Sequence, residues 1–232
     1  MKILLTLLLL FTGVFAETMH INTPYRGELY EEVKPLMYEL FKRNTYDLEY
    51  QKLPLKRGLI NANKGVDDGD GPRVKEVEKR FPNIVRIDVP ILEISIHAHY
   101  KKKSLNIQDW TDLKPYNIGV RTGTIVQVKN VKKVDPKEIT YVVTNEKLFE
   151  LLEEEKVDVV ISERVMARSL KKEMKLEHLY QSPALLQKNM YLFLNKKHID
   201  KVKAFKQTLL QMQKEGYQKR LKHFYETGER SR

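Results

Sequence analysis

The chain has 232 residues, 42 lysines and arginines against 31 acidic residues, a formal net charge of +11 and no cysteine. That length suits one ordinary domain or two small lobes, and it is ample for a buried core. The absence of cysteine excludes a disulfide scaffold, a thiol nucleophile, an iron–sulfur cluster and any cysteine-ligated zinc site. The positive charge is compatible with binding to nucleic acid, to an anionic membrane surface or to an anionic small ligand. The cellular compartment of the protein distinguishes among these partners.

The first sixteen residues have the pattern of a secretory signal peptide. Lys2 precedes an apolar run that ends in Val14-Phe15-Ala16, and Glu17 stops the run. The run is shorter than the roughly 20 apolar residues of a membrane span, and no cysteine follows it to carry a lipid. We expect cleavage after Ala16 and a soluble, periplasmic mature chain with no membrane span. A retained N-terminal anchor is the alternative.

Strand and helix patterns alternate along the rest of the chain. Strands are predicted at 18–23, 46–53, 84–96 (two, divided by Pro90), 117–120, 139–143, 157–161 and 190–194. Helices are predicted at 28–43, 56–63, 125–131, 146–155, 163–170 and 199–225. Residues 66–73 hold three acids, two glycines and a proline, which predicts a loop. The alternation predicts an α/β fold with mostly parallel sheets, and polar residues 101–104 are the candidate boundary between two lobes.

Four stretches of the sequence are similar to one known family. They are residues 22–25, 59–67, 112–124 and 151–162, and the third is the most specific. On these stretches the mature chain resembles the type II periplasmic solute-binding proteins of family 3, the amino-acid-binding branch of ABC uptake systems. After a signal peptide over 1–16, the resemblance implies one lobe over 17–99 and a second over 100–189. A return strand and a long C-terminal helix over 190–232 would pack on the first lobe.

An anion site is predicted where the strand at 117–120 gives way to a helix. Gly123 and Thr124 leave backbone N–H groups and a hydroxyl at the helix start, which suits a carboxylate, with an ordinary turn and helix cap as the alternative. The resemblance implies that Thr122 shares this site and that an arginine of the first lobe is the bidentate partner of the carboxylate. Arg73 is the nearest arginine, although the family's Thr-x-x-Arg pattern is absent here.

Three further contacts are implied by the resemblance. Glu163, after the strand at 157–161, would hold the ligand's amino group, or it is an ordinary acid in the first turn of a helix. Tyr25 would stack on the ligand with its flat face, or it simply packs. Asp70 would line the cleft, or it is a solvated loop acid. Arg57 and Arg121 are additional candidate contacts.

The sequence carries no complete metal or catalytic signature. Asp67 to Gly71 lacks the alternation of a calcium loop, and His97 and His99 share one strand face but are too few to close a metal site. Neither a Gly-x-Ser-x-Gly elbow nor a nucleic-acid-binding motif is present. We expect no catalytic residue, no metal and no cofactor.

The implied function is capture of a small polar solute, amino-acid-like or a carboxylate, between lobes that close by hinge motion. The protein would be a monomer and not an enzyme, it would deliver its ligand to an ABC permease or a membrane sensor, and it would bind no nucleic acid. One alternative is an interaction module of the same fold that uses its basic C-terminal helix on an envelope partner. Another is a lyase or dehydratase with Glu163 or Asp70 as its acid/base.

Overall fold

The structure, a computed structural model, describes residues 16–24 and 26–229. The predicted signal peptide therefore lies outside the described residues except for Ala16, and Tyr25 lies outside them as well. The strands are β1 Glu17–Thr23, β2 Tyr46–Lys52, β3 Gly69–Val74, β4 Ile84–Arg86, β5 Leu92–Tyr100, β6 Asn117–Arg121, β7 Glu138–Val142, β8 Val159–Glu163, β9 Tyr180–Gln181 and β10 Leu186–Asn195. The helices are α1 Gly27–Arg43, α2 Leu55–Lys64, α3 Ile125–Val134, α4 Asn145–Glu153, α5 Arg164–Glu173, α6 Val202–Lys214 and α7 Tyr217–Thr227, with short 3-10 helices at Lys75–Lys79, Thr111–Leu113 and Lys196–Lys201.

One curled sheet runs through the molecule in the order β2-β1-β3-β10-β5-β8-β6-β7. Strands β1, β2 and β3 pair in parallel at one end, and β6, β7 and β8 pair in parallel at the other. The two long strands between them, β5 and β10, pair antiparallel with each other and with their outer neighbours. We call the β1–β3 end with α1, α2, α6 and α7 the first lobe, and the β6–β8 end with α3, α4 and α5 the second lobe. The predicted α/β fold with parallel strands in each lobe is confirmed.

Strand β5 carries the chain from the first lobe to the second. Its pairing with β10 runs from Leu92 to Ile96, and its pairing with β8 runs from Ile96 to His99. At Ile96, β5 is therefore paired with β10 on one side and with β8 on the other. Strand β10 then returns the chain to the first lobe, where it pairs with β3. The lobe boundaries predicted near residues 100 and 190 stay predictions.

Each lobe has its own hydrophobic core. In the first lobe, α1 and α6 pack on the sheet with fully buried side chains such as Phe41 and Phe205, whose rings meet edge to face at 4.9 Å between centroids. In the second, Ile118 and Ile161 lie in one cluster and Phe149 in another on the opposite sheet face. Helix α5 touches both lobes, since it also packs against α1 and α7.

The loop predicted over residues 66–73 is wrong, because residues from Gly69 to Val74 form the buried strand β3. Aspartate, glycine and proline are poor strand formers by composition, but here their placement overrides propensity. A Cβ on Gly69 would lie 2.3 Å from the Phe193 carbonyl oxygen, so glycine permits the close approach of β10. The buried charge of Asp70 is balanced by Arg73.

The single closing helix predicted over residues 199–225 is two helices, α6 and α7. Glu215 ends α6, and Gly216 follows with a φ of 84°, a left-handed conformation that favours glycine. The apolar stripe continues across the break, since Leu209 and Met212 of α6 and Leu221 of α7 are all buried in the first core. Because the hydrophobic period is maintained, it could not by itself reveal the break.

Within the described part of the chain, no helix combines the length and the apolar character that crossing a membrane requires.

Candidate ligand-binding cleft

A cavity of about 540 Å³, measured out to its mouth, lies between the two lobes. Its walls come from α2 and β3 of the first lobe, from the crossing strands β5 and β10, and from the β6–α3 junction of the second lobe. The lining residues are Pro24, Leu55, Leu59, Arg73, Val74, Val77, Ile94, Ile96, Arg121, Gly123, Thr124, Ile125, Val126, Gln127, Glu163 and Met190. The mostly apolar lining is typical of small-molecule sites.

A second cavity of about 880 Å³ adjoins the first and shares Pro24, Leu55, Arg121 and Gly123 with it. Its other lining residues include Arg26, Lys56, Thr122, Thr144 and Glu146, so its walls are more polar and carry more positive than negative charge. The first cavity is thus an apolar chamber, and the second is a polar space beside it.

Arg73 and Asp70 form a buried bidentate ion pair in the wall of the first cavity. Arg73 Nε donates to Asp70 Oδ1, and Arg73 Nη2 donates to Asp70 Oδ2 at 2.9 Å and to the Leu55 carbonyl oxygen at 3.0 Å. The side chain of Arg73 is 3% exposed and that of Asp70 is fully buried. Arg73 Nη1 is buried and has no partner among the described residues, so it is the edge of the guanidinium that remains for a ligand.

Gly58 lets helix α2 lie directly over this ion pair. A Cβ at Gly58 would lie 2.3 Å from Asp70 Oδ2 and 3.3 Å from Arg73 Nη2, so any larger residue would displace the carboxylate. Asp70 is therefore enclosed between α2 and β3 and does not line either cavity. Its place in the structure is behind Arg73, which differs from the sequence prediction that Asp70 itself lines the cleft.

Glu163 ends strand β8 at the point where α5 begins, and its side chain faces the first cavity. It is 8% exposed, and no donor in the described part of the chain reaches its Oε2. Burial raises the pKa of Glu163, while the positive charges of Arg121 and Arg73 act in the opposite direction. The carboxylate does not cap α5 by hydrogen bonding. A buried carboxylate oxygen with no donor is suited to receive one from a ligand.

Helix α3 begins at the cavity without a side-chain cap. Thr124 occupies the N-cap position, but its hydroxyl donates to the Arg121 carbonyl oxygen instead of accepting from the helix. The first N–H groups of any α-helix lack acceptors within the helix and carry partial positive charge. Residues Ile125, Val126 and Gln127, which form this first turn, all line the cavity. Gly123, with a φ of 86°, makes the turn that brings the helix end there.

The structure brings four of the predicted ligand contacts together in one cavity, and these are Arg73, Gly123, Thr124 and Glu163. Thr122 lines the second cavity, where its hydroxyl donates to the Val142 carbonyl oxygen at 3.0 Å. Among the additional candidates, Arg121 lines both cavities and Arg57 lines neither.

The apolar lining of the first cavity could not be recognised in the sequence. Ile94 and Ile96 stand two residues apart on β5 and therefore share a face. Leu59, Val77 and Met190 complete the wall. The alternation at Ile94 and Ile96 was visible in the sequence, but the same pattern describes a strand buried in a core, so it could not identify a binding surface.

His97 and His99 are buried in β5, away from both cavities. His97 Nδ1 lies 2.9 Å from the Ser182 carbonyl oxygen and Nε2 lies 2.8 Å from Ser95 Oγ. Burial lowers the pKa of His99 to about 3, so this ring is neutral at ordinary pH. Within residues 16–24 and 26–229, no group of three or more histidine, aspartate or glutamate side chains is arranged to hold a metal ion.

Several solved structures share this architecture. An ancestral arginine-binding protein bound to arginine superposes with a TM-score of 0.73 at 16% identity, covering 89% of this chain and 97% of its own. The amino acid ABC transporter substrate-binding protein AbpA from Streptococcus pneumoniae, bound to L-arginine, gives a TM-score of 0.71 at 16% identity, with 90% and 94% covered. An ancestral amino-acid-binding protein that is a precursor of cyclohexadienyl dehydratase gives 0.71 at 17% identity, with 88% and 92% covered.

These likenesses show the fold: the chain has the two-lobed architecture of the periplasmic binding proteins. The predicted fold class is therefore confirmed. No protein-family model matches the sequence. No curated protein sequence matches it either.

Proposed function

We propose that this protein captures a small amino-acid-like ligand between its two lobes. The observation that carries the proposal is that Arg73 and Glu163 line the same cavity as the uncapped start of α3, and that each has a buried polar atom, Nη1 and Oε2, without a partner among the described residues. Buried polar groups are normally hydrogen-bonded, and two such residues on the wall of one cavity are typical of a ligand-binding site.

The proposed ligand carries both a negative and a positive charge. Its carboxylate would accept from the N–H groups of the first turn of α3 and from Arg73 Nη1, because both present donors and positive charge. Its amino group would donate to Glu163, the acid of the cavity wall whose Oε2 receives no hydrogen bond from the described residues. The solved neighbours whose names record arginine as the bound ligand support this class of ligand.

The proposed setting is export and uptake. The signal-peptide pattern at residues 1–16 and the fold shared with an ABC transporter substrate-binding protein support a periplasmic protein that delivers its ligand to a permease or a membrane sensor. Binding would bring the lobes together about β5 and β10, since these strands join them.

The proposal is tested by calorimetric titration and thermal shift of the mature chain with the standard amino acids and small carboxylates. We expect at least one amino acid to raise the melting temperature. Glu163→Gln should weaken its binding at least tenfold, because a charge-assisted hydrogen bond to the amino group is lost. Glu150→Gln, on the exposed face of α4, is the matched control and should bind as the wild type does. If no amino acid or carboxylate binds, the proposal fails.

A cleft-acid lyase is the second candidate, favoured by the raised pKa of Glu163 and by the dehydratase precursor among the structural neighbours. A carboxyl group that keeps its proton can act as a general acid. Consumption of any bound solute by the purified protein, abolished by Glu163→Gln and retained by Glu150→Gln, would replace the binding proposal with this one. We propose that no such turnover occurs and that the protein is not an enzyme.

A further inference from the structure

We infer that the ligand of this cleft has an uncharged, apolar side chain larger than a methyl group. The inference rests on the proposed function and specifies its ligand. It starts from the apolar wall of the first cavity, which consists of Leu59, Val77, Ile94, Ile96 and Met190.

Four structural elements build this wall. Leu59 comes from α2, Val77 from the 3-10 helix after β3, and the remaining three from the crossing strands β5 and β10. The side chains are held in place, since Leu59, Val77 and Ile96 are each 3% exposed or less. A preformed apolar surface of this kind favours an apolar group and disfavours a charge, whose hydration it cannot replace.

Two basic side chains near this wall are already paired with acids. Arg73 is bound by Asp70 through two of its three nitrogens, and Lys188 Nζ lies 2.6 Å from Glu76 Oε1. Lys188 pairs with Ile94 in the β-ladder, so the second ion pair lies beside the apolar wall. A second carboxylate on the ligand would therefore find both of these cations already paired, and a guanidinium would compete with the ligand's amino group for Glu163, which stands opposite Ile96 in the β-ladder.

Most of the groups assigned to the ligand's own charges come from the second lobe. Glu163 and the start of α3 belong to the second lobe, whereas Leu59 and Val77 belong to the first. A ligand whose charged ends meet the second lobe would thus direct its side chain to the apolar wall. The side chain of the arginine held by the neighbours named above would place a charge there.

The test is a calorimetric panel on the wild-type mature chain. Leucine, methionine and phenylalanine form one set, glycine and alanine a second, and arginine, lysine and glutamate a third. Each buried methylene contributes about fourfold in affinity, so leucine should bind about 50-fold more tightly than alanine. The charged set should bind more weakly than the apolar set by at least tenfold. If arginine, lysine or glutamate binds as tightly as leucine, or if alanine does, the inference is overturned while the proposed function stands.

Two variants locate the apolar group. Val74 is half-buried in the cavity wall, and Val74→Phe should reduce the preference for leucine over alanine at least fivefold by filling the chamber. Val85 is also half-buried in a strand, but it does not line the cavity, and Val85→Phe should leave the ratio unchanged. An unchanged ratio in a folded Val74→Phe protein overturns the placement. Should no amino acid or carboxylate bind the wild type, the proposed function itself has failed.

Discussion

Arg73 and Asp70 stand three residues apart on β3, and they are bound to each other so completely that Asp70 is sealed away from the cavity. Four of the five polar atoms that Arg73 and Asp70 would otherwise offer to a ligand are used in their own contact, namely Arg73 Nε and Nη2 and both carboxylate oxygens. The pair thus mainly stabilises the fold, and only one edge of the guanidinium is left to contact a ligand.

Replacing Asp70 should destabilise the protein severely. Asp70→Asn leaves the Arg73 charge buried without a counterion, which typically costs about 3–5 kcal/mol. We expect a loss of this size in the free energy of unfolding, measured by equilibrium urea denaturation. Glu150→Gln, which removes an exposed ion pair with Lys147, should cost less than about 1 kcal/mol. Equal losses in the two variants would show that the Asp70 pair is not the buried contact described.

A methyl group at Gly58 should destabilise the protein, although the same change in most helices is stabilising. Gly→Ala inside a helix usually adds about 1 kcal/mol, but here the new Cβ would meet Asp70 Oδ2. We expect the free energy of unfolding to fall by more than 1 kcal/mol, roughly the cost of displacing a buried charged hydrogen bond. Lys56→Ala, at an exposed position of the same helix, is the control and should change little. A stabilised Gly58→Ala protein would contradict the packing.

Glu163→Gln should stabilise the ligand-free protein increasingly as pH rises. Burial raises the pKa of Glu163 in the folded state, so the folded chain holds this proton more tightly than the unfolded chain does. The wild type therefore loses stability as the pH rises from the ordinary glutamate pKa through the raised one, and glutamine removes that loss. The difference in unfolding free energy between the two proteins, measured across this range, should grow with pH and then level off. A difference independent of pH would contradict the shift.

The hydroxyl of Tyr225 should contribute measurably to stability. It accepts from Ser95 N at 2.9 Å and donates to the Ser95 carbonyl oxygen at 3.0 Å, which ties α7 to β5. Tyr225→Phe leaves both backbone groups unpaired in a buried position, and we expect a loss of about 1–3 kcal/mol. Tyr217→Phe on the same helix is the control, because its ring contacts with Arg43 and Arg220 survive the change. Equal effects of the two substitutions would rule out the Ser95 bridge.

Much of the fold could be predicted from periodicity, but β3 could not. The strands and helices around residues 117–170 fall close to their predicted places, because the spacing of apolar residues there matches the element that forms. In β3, the residues themselves favour a turn, and only tertiary contacts with β10 and the ion pair between Asp70 and Arg73 make a strand of them. The contacts with β10 join residues more than a hundred positions apart, which no local pattern records.

The candidate site was predictable only in its polar part. Gly123 and Glu163 stand where a strand gives way to a helix, and such junctions can be recognised in a sequence. The apolar wall requires knowing that Leu59, Ile94 and Met190 meet in space. The sequence also could not show that Asp70 forms a buried ion pair with Arg73, since an acid and a base three residues apart in a glycine-rich stretch are usually solvated.

The position of β10 between β3 and β5 sets an order of assembly for the emerging chain. Strands β6, β7 and β8 and their helices follow one another in sequence, so the second lobe can form while later residues are still being synthesised. The first lobe has to wait, because β10 completes its sheet and α6 and α7 complete its core. Until β10 has been synthesised, β3 is paired with β1 on one side only, and its other edge is open to pairing with another chain.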